Sequence, residues 1–535
     1  MRNPLTRRAK IGATLVLLIG GLTAFYLQKP STVASARLFQ QVLQIMSMQY
    51  VDTVPTDSLY ARAARGLIKE LNDPYTVLFT PKEMEQFTRQ MGGQYAGIGT
   101  AISKVENHVV IMKVFPNTPA ARAGVLEGDK IFAIDSVEVQ GWTDQQVSDK
   151  LRGPAGTTVN VKFLRDGVAE PVSIQITREL VHIPAVPYAM VLDGNVGYIP
   201  LQQFGSSAAQ EVGEAIERVT KQGATKIVLD LRGNGGGLTD QAVKISNYFL
   251  PKNKVVVSMR GRTGAAQSFA TNADPTHPEV PLIVLVNGQS ASASEIVAGA
   301  LQDHDRAVII GSTTFGKGSA QGIFQLDGGY ALKMTTQKWY TPLGRSIQKE
   351  RVLTDDGRYV EVHPDSLESD SARKARPQFK TDAGRVILGG GGITPDLVVT
   401  GSELDSKEQK LVEAIRPKAG LFNAELNAYA LEYRNKVKPD FAVTPKMREE
   451  FLARLQKKGL TIDKAVLSGA MPYMDRLIGL RISTLAFGDS TTKQKYLSED
   501  AQLLKAVSML KVAQNQKTLF TIAAKENERN AVASR

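Results

Sequence analysis

The stretch TKIVLDLRGNGGGLTDQAVKISNYFL, Thr225 to Leu250, decides the fold. Its first seven residues, TKIVLDL, have the character of a buried strand. RGNGGG then turns the chain, and Leu238, Ala242, Val243, Ile245 and Phe249 follow at helical spacing. The same strand, turn, helix order returns in PLIVLVN followed by SASEIVAGALQD, and RAVIIGSTTFG supplies another strand. Repeated units of this kind predict a layered α/β core, assigned to residues 181–400, with reactive groups at the strand ends.

Outward from the core the character changes on both sides. Between residues 92 and 180, HVVIMKVF, DKIFAIDSVEV, TVNVKFLRD and PVSIQITREL have strand patterning, and DQQVSDKLRG predicts one helix ended by Gly153. Together with GGQYAGIGTAI and PNTPAARAGVLEG, this small antiparallel module resembles a PDZ domain. In Gly97-Ile98-Gly99-Thr100 the glycines let backbone N–H groups converge, suiting capture of a peptide carboxylate while the peptide adds as a strand; a plain hairpin turn is the competing reading. Residues 31–91 form an N-terminal helical segment, in which apolar positions from Ala36 to Leu71 keep helical spacing until NDPYT breaks it. Residues 401–535 are expected to be a helical C-terminal extension without chemistry of its own. Within it, Thr444 caps and Gly459 stops one helix, and another opens at Ser498 with Glu499 and Asp500 in its first turn.

A chain of 535 residues exceeds a single core, so several domains are expected. The net charge of +12 is scattered among acids without a basic block, which argues against nucleic acid and fits work beside an anionic membrane. No cysteine is present, so disulfides and thiolate metal sites are excluded. At the start, Arg2, Arg7, Arg8 and Lys10 precede the uncharged run Ile11 to Leu27. Residues 1–30 are thus assigned as a signal or membrane anchor, and read as an uncleaved anchor, with Ala34-Ser35-Ala36 as the competing cleavage site. The basic flank stays cytoplasmic and the rest is exported.

Chemistry is sought first in VNGQSASASEIVAGAL, where serines alternate ahead of a helix. A serine hydroxyl needs a base. The five histidines do not supply one convincingly: His304 sits where imidazole caps a helix, and His108, His182, His277 and His363 lack a paired-acid signature. Lys317, between glycines in TTFGKGSAQG, is the alternative. A lysine of ordinary pKa, about 10.4, acts as a base only when burial depresses that value, and a solvated loop lysine is the bland reading. Gln321, four positions on, lies on the same side in helix or strand. Gly235, Gly236 and Gly237 suit an oxyanion site of backbone amides, or simply a tight turn; the Lys-Ser/Thr ending of a nucleotide-binding P-loop is missing. Ser292-x-x-Glu295 is also a helix capping box.

DLRGNGGG, SASASEI, GSTTFGKGSAQ, LKMTTQKWYTPLGRSIQ and GGITPD, in this order behind a PDZ-like segment, resemble the carboxyl-terminal processing proteases, the tail-specific serine peptidases. The resemblance implies Ser292 as nucleophile, Lys317 as general base, Gln321 as its orienting partner, and the amides of Gly237 and Ala293 as oxyanion donors. It further implies a multidomain α/β serine-protease core with an inserted PDZ-like domain. The expected function is that of an exported endopeptidase with a Ser/Lys dyad, reading substrate C-termini and processing envelope proteins on the periplasmic side of a bacterial inner membrane. Neither metal nor other cofactor is implied; the partners are proteins or peptides with free C-termini and the membrane. Two other classes compete: a non-catalytic PDZ scaffold, whose mark would be loss of Ser292 or Lys317, and an acyl-thioester enzyme using the same oxyanion logic.

Overall fold

Strands buried on both faces cannot alternate polar with apolar residues, and the central strands do not. A computed structural model describes residues 30–533 except 166, 355–358, 362–375 and 402–403. The chain forms two compact units, Met1–Thr80 with Gly322–Thr335, and Pro81–Gln321 with Thr336–Arg535.

The smaller unit carries helices Pro30–Gln49 and Thr56–Glu70. Helical spacing runs on through this region, yet the chain breaks at residues 50–55, where Pro55 disfavours a helical residue ahead of it. NDPYT ends the second helix as expected: the Asp73 carboxylate accepts the Tyr75 N–H at 3.0 Å and the Thr76 hydroxyl at 2.6 Å. Strand Val77–Phe79 then pairs antiparallel with residues 331–333. Among the described residues no helix is long and apolar enough to cross a membrane, and the apolar run Ile11 to Leu27 lies outside them.

In the larger unit, strands Thr100–Val105, His108–Val114, Lys130–Ile134, Thr158–Leu164 and Val172–Thr177 hydrogen-bond in that order, antiparallel throughout. Val109, Ile111, Ile131, Val161 and Phe163 close a core against Val147 and Leu151 of helix Asp144–Leu151. Strand Gln94–Gly97 pairs with Glu179–His182, so the module's two ends run side by side, as an inserted module needs.

The α/β core is a six-stranded sheet of β1 (Met190–Leu192), β2 (Val196–Pro200), β3 (Lys226–Asp230), β4 (Leu282–Val286), β5 (Val308–Gly311) and β6 (Leu397–Val398), in that spatial order. All neighbours are parallel except β1 with β2. Ile227, Leu229, Leu282, Val284 and Ile309 face one layer of helices, α1 (Ala208–Lys221), α2 (Thr239–Asn247) and α3 (Ala293–Asp303). Val228, Ile283, Leu285, Val308 and Ile310 face the other, made by α4 (Ala501–Val512) and α5 (Gln516–Ala533).

That second layer shows that the helical extension expected over 401–535 is in part integral to the sheet. Residues 406–495 do gather around a core of their own, with the Phe422 and Phe451 rings edge to face at 5.6 Å. The last two helices instead cover the sheet, because a parallel sheet must be sheathed on both faces.

Candidate active site

Three adjacent parallel strands deliver three loops to one edge of the sheet: the glycine loop, 231–237, after β3; the serine loop, 287–292, after β4; and the lysine loop, 312–318, after β5. Loops at the carboxyl ends of neighbouring parallel strands converge in this way.

The three serines separate by environment. Ser290 is fully buried; its hydroxyl donates to the Leu231 carbonyl at 2.8 Å and accepts the Asn287 N–H at 2.9 Å. Ser294, also fully buried, donates to the Asn234 carbonyl at 2.8 Å, and the Ala291 N–H reaches the same carbonyl at 3.0 Å. Both therefore stitch the serine loop to the glycine loop. Ser292 between them is partly exposed and has φ 55° and ψ −114°. For an L-residue outside the ordinary basins such a conformation costs about 1–3 kcal/mol and persists only where the surroundings enforce it.

Glu295 enforces it. Its fully buried carboxylate accepts the Ser292 N–H at 2.8 Å and the Lys317 N–H at 2.9 Å on one oxygen. The other oxygen accepts the Gly316 N–H at 2.6 Å and the Thr314 hydroxyl at 2.5 Å. Ser292 and Lys317 are thereby brought together across a single atom. Burial pushes the Glu295 carboxyl above the usual carboxylate range, while its hydrogen bonds pull the other way. The capping-box spacing singled out Glu295 only as a helix start; its hold on the lysine loop was missed.

Half-buried Lys317 has its backbone fixed on both sides, since the indole N–H of Trp339 donates to its carbonyl at 2.9 Å. Trp339 is 1% exposed, and its own N–H donates to Gly318 at 2.9 Å. Gln321 lies in strand Ser319–Gln325, and its amide nitrogen donates to the Ser319 hydroxyl at 3.2 Å. His304 caps the far end of the eleven-residue α3, about 18 Å along the axis from Ser292, where it bonds Asp382 and the Val255 carbonyl.

The glycine loop is seated against the serine loop and the start of α3. A Cβ at Gly236, which has φ +96°, would lie 2.8 Å from Ser292 Cβ and 2.9 Å from Ala293 N, so only glycine allows this approach. Asn234, fully buried, holds the loop's shape by accepting the Gly236 N–H at 2.9 Å and donating to Leu201 at 2.8 Å. Gly237 bridges to Phe204, and Ala293 is the first residue of α3, whose leading N–H groups have no partner within the helix. A polar residue inside a glycine run was the signal for Asn234, and it went unread.

Gly97 and Thr100 belong to different sheets, so the hairpin reading of Gly97-Ile98-Gly99-Thr100 does not hold. Gly99 has φ +87° and sits where a Cβ would strike Thr118. The Ile98 and Gly99 carbonyls accept N–H groups from Ala120 and Phe115. Burial pushes the Tyr95 phenol up, while the Arg152 charge and the backbone at Thr100 and Gly99 pull the other way. Thr100–Val105 is an edge strand beside helix Asp144–Leu151, the arrangement that strand addition uses.

The sequence pattern of peptidase family S41 matches residues 195–357, and that of the PDZ domain residues 96–176. A carboxy-terminal-processing protease of Bartonella bacilliformis is 37% identical over 350 residues, 64% of this chain and 79% of its own length. The chain belongs to peptidase family S41. It is a C-terminal processing serine peptidase with a PDZ domain. A "Probable CtpA-like serine protease" of Staphylococcus saprophyticus is 34% identical over 317 residues, 59% of this chain and 64% of its own. Among solved structures, the photosystem II D1 C-terminal processing protease is 30% identical with a TM-score of 0.35, covering 60% of this chain and 84% of that one. Membership in S41 sets aside the non-catalytic scaffold and the acyl-thioester enzyme.

Proposed function

We propose that this S41 peptidase is an exported endopeptidase that captures the C-termini of envelope proteins on its PDZ domain and cleaves them with a Ser292/Lys317 dyad. The observation that carries the dyad is the single Glu295 oxygen holding the amides of Ser292 and Lys317. Ser292 Oγ attacks the scissile carbonyl as Lys317 takes its proton, and the oxyanion rests on the N–H groups of Gly237 and Ala293. The proton then passes from the Lys317 ammonium to the departing amine, leaving an acyl-enzyme. Lys317 next deprotonates a water, whose attack frees Ser292. Gln321 orients the lysine, and Gly97 to Thr100 receive the substrate carboxylate.

Export rests on the basic flank and apolar run ahead of Lys29, which suit an anchor leaving the catalytic unit on the periplasmic side. Unfolded proteins with different C-termini, incubated with wild type, Ser292→Ala and Lys317→Ala, test the chemistry. Cleavage should vanish in both variants, and equal cleavage by all three sinks the dyad. A C-terminally amidated substrate cut as fast as its free-acid twin removes the proposed role of residues 97–100. Periplasmic and cytoplasmic reporters fused behind residue 30 test export, and activity of the cytoplasmic reporter alone rejects it.

A further inference from the structure

We propose that Asp500, carried by the C-terminal extension, is a positioning residue for the glycine loop and acts through Arg232. This rests on the reading of that loop as the oxyanion site. Arg232 is the second residue of the loop, five positions before Gly237. Its guanidinium lies between two carboxylates. On one side Nε donates to Asp230 Oδ1 at 2.9 Å and Nη2 to Asp230 Oδ2 at 2.6 Å. On the other, Nη1 and Nη2 each reach one Asp500 oxygen at 2.8 Å, and Nη1 also reaches Gln502 Oε1 at 3.0 Å. All five N–H groups are thus committed, in the planar two-pronged geometry that guanidinium offers a carboxylate.

Both anchors are themselves fixed. Asp230 also accepts the Tyr198 hydroxyl at 2.7 Å and the Arg232 N–H at 2.9 Å. Asp500 accepts the Leu503 N–H at 3.0 Å as the cap of α4, and pairs with the Lys493 ammonium. Leu503 and Leu510, fully buried on the sheet, seat that helix, so packing delivers the carboxylate to a loop 268 positions earlier in the chain. Beyond Arg232 the loop is held by the Gly233 N–H on Asn287 and by Asn234. Asp500 secures its first turn. Oxyanion donors work only when aimed where charge develops, and small displacements are costly.

Asp500→Asn is the discriminating variant, because asparagine caps a helix as well as aspartate does while the two-pronged charge pair is lost. On a peptide substrate, kcat should fall between about 10- and 100-fold with KM little changed. Affinity for a peptide boronate, which forms a tetrahedral adduct with the nucleophilic serine, should fall in step; the melting temperature should fall too, because Arg232 loses a charged partner, but the variant should remain folded at the assay temperature. Arg232→Lys approaches the pair from the other side, and the double variant should lose no more than the worse single one. Retained kcat in a folded Asp500→Asn enzyme, undiminished boronate affinity, or additive losses in the double variant each overturn the assignment. Wild type inert beside Ser292→Ala would instead overturn the proposed function, so the two failures are told apart.

Discussion

Glu295 is a buried carboxylate whose four donors come from two different loops: Ser292 on its own helix cap, and Thr314, Gly316 and Lys317 on the neighbouring strand's loop. The spacing of Ser292 and Glu295 is local and visible in the sequence; the other three partners lie 19 to 22 positions away, where no local pattern reaches. Glu295→Gln keeps the shape but points an amide nitrogen at N–H groups, leaving buried donors unpaired at about 1–3 kcal/mol. Expressed as activity, kcat/KM should drop by roughly 10- to 100-fold in steady-state peptide assays. Retention within twofold would mean that the carboxylate only starts the helix. Gly236→Ala is the companion test: its new methyl would lie 2.7 Å from the Ala291 carbonyl and 2.8 Å from Ser292 Cβ. Peptide cleavage should be lost with the far-ultraviolet dichroism unchanged, because the collision falls on the serine loop proposed to carry the nucleophile and not on the core.

At the scale of elements, signals confined to neighbours were legible and those completed from afar were not. Thr444 accepts the Met447 N–H at 3.2 Å and Gly459 follows the helix with φ +84°, as their spacing predicts. The start of α4 was misplaced: residues 497–499 form a short 3₁₀ turn and Asp500, not Ser498, is the cap. Three acceptors crowd this start, and Arg232 decides among them. Burial pushes the Asp500 carboxyl up, but Arg232 and Lys493 outweigh it and hold it well below the usual range. A depressed carboxyl contributes stability that is present above its unfolded pKa, near 3.9, and is lost as pH falls through the folded value. The melting-temperature difference between wild type and Asp500→Asn should therefore stay constant between about pH 5 and 8 and close only in stronger acid. A difference that closes by about pH 6 would show that another group governs the pair.

For the whole molecule, the strand, turn, helix repeats revealed one face of the sheet and left its other face without a cover. The cover is written in the last 35 or so residues as ordinary amphipathic helix, and nothing in that pattern distinguishes packing on a sheet from packing on other helices. The distinction matters for where the peptidase ends. Leu503, Val507, Met509, Leu510 and Leu519 are buried against Val228, Ile283, Leu285 and Ile310. Each such side chain contributes about 1.5–3 kcal/mol, so five together rival the net stability of a typical domain, about 5–15 kcal/mol. A chain truncated after Ser498 should lose its cooperative thermal transition for the catalytic core and bind hydrophobic dye at room temperature. Leu510→Ala, removing one contact, should cost about 2–5 kcal/mol in denaturant titrations. The PDZ module has a separate core, so its own melting should survive the truncation. A truncated chain that still melts as the full one does, and still cleaves peptide, would return the final helices to the standing of a dispensable extension.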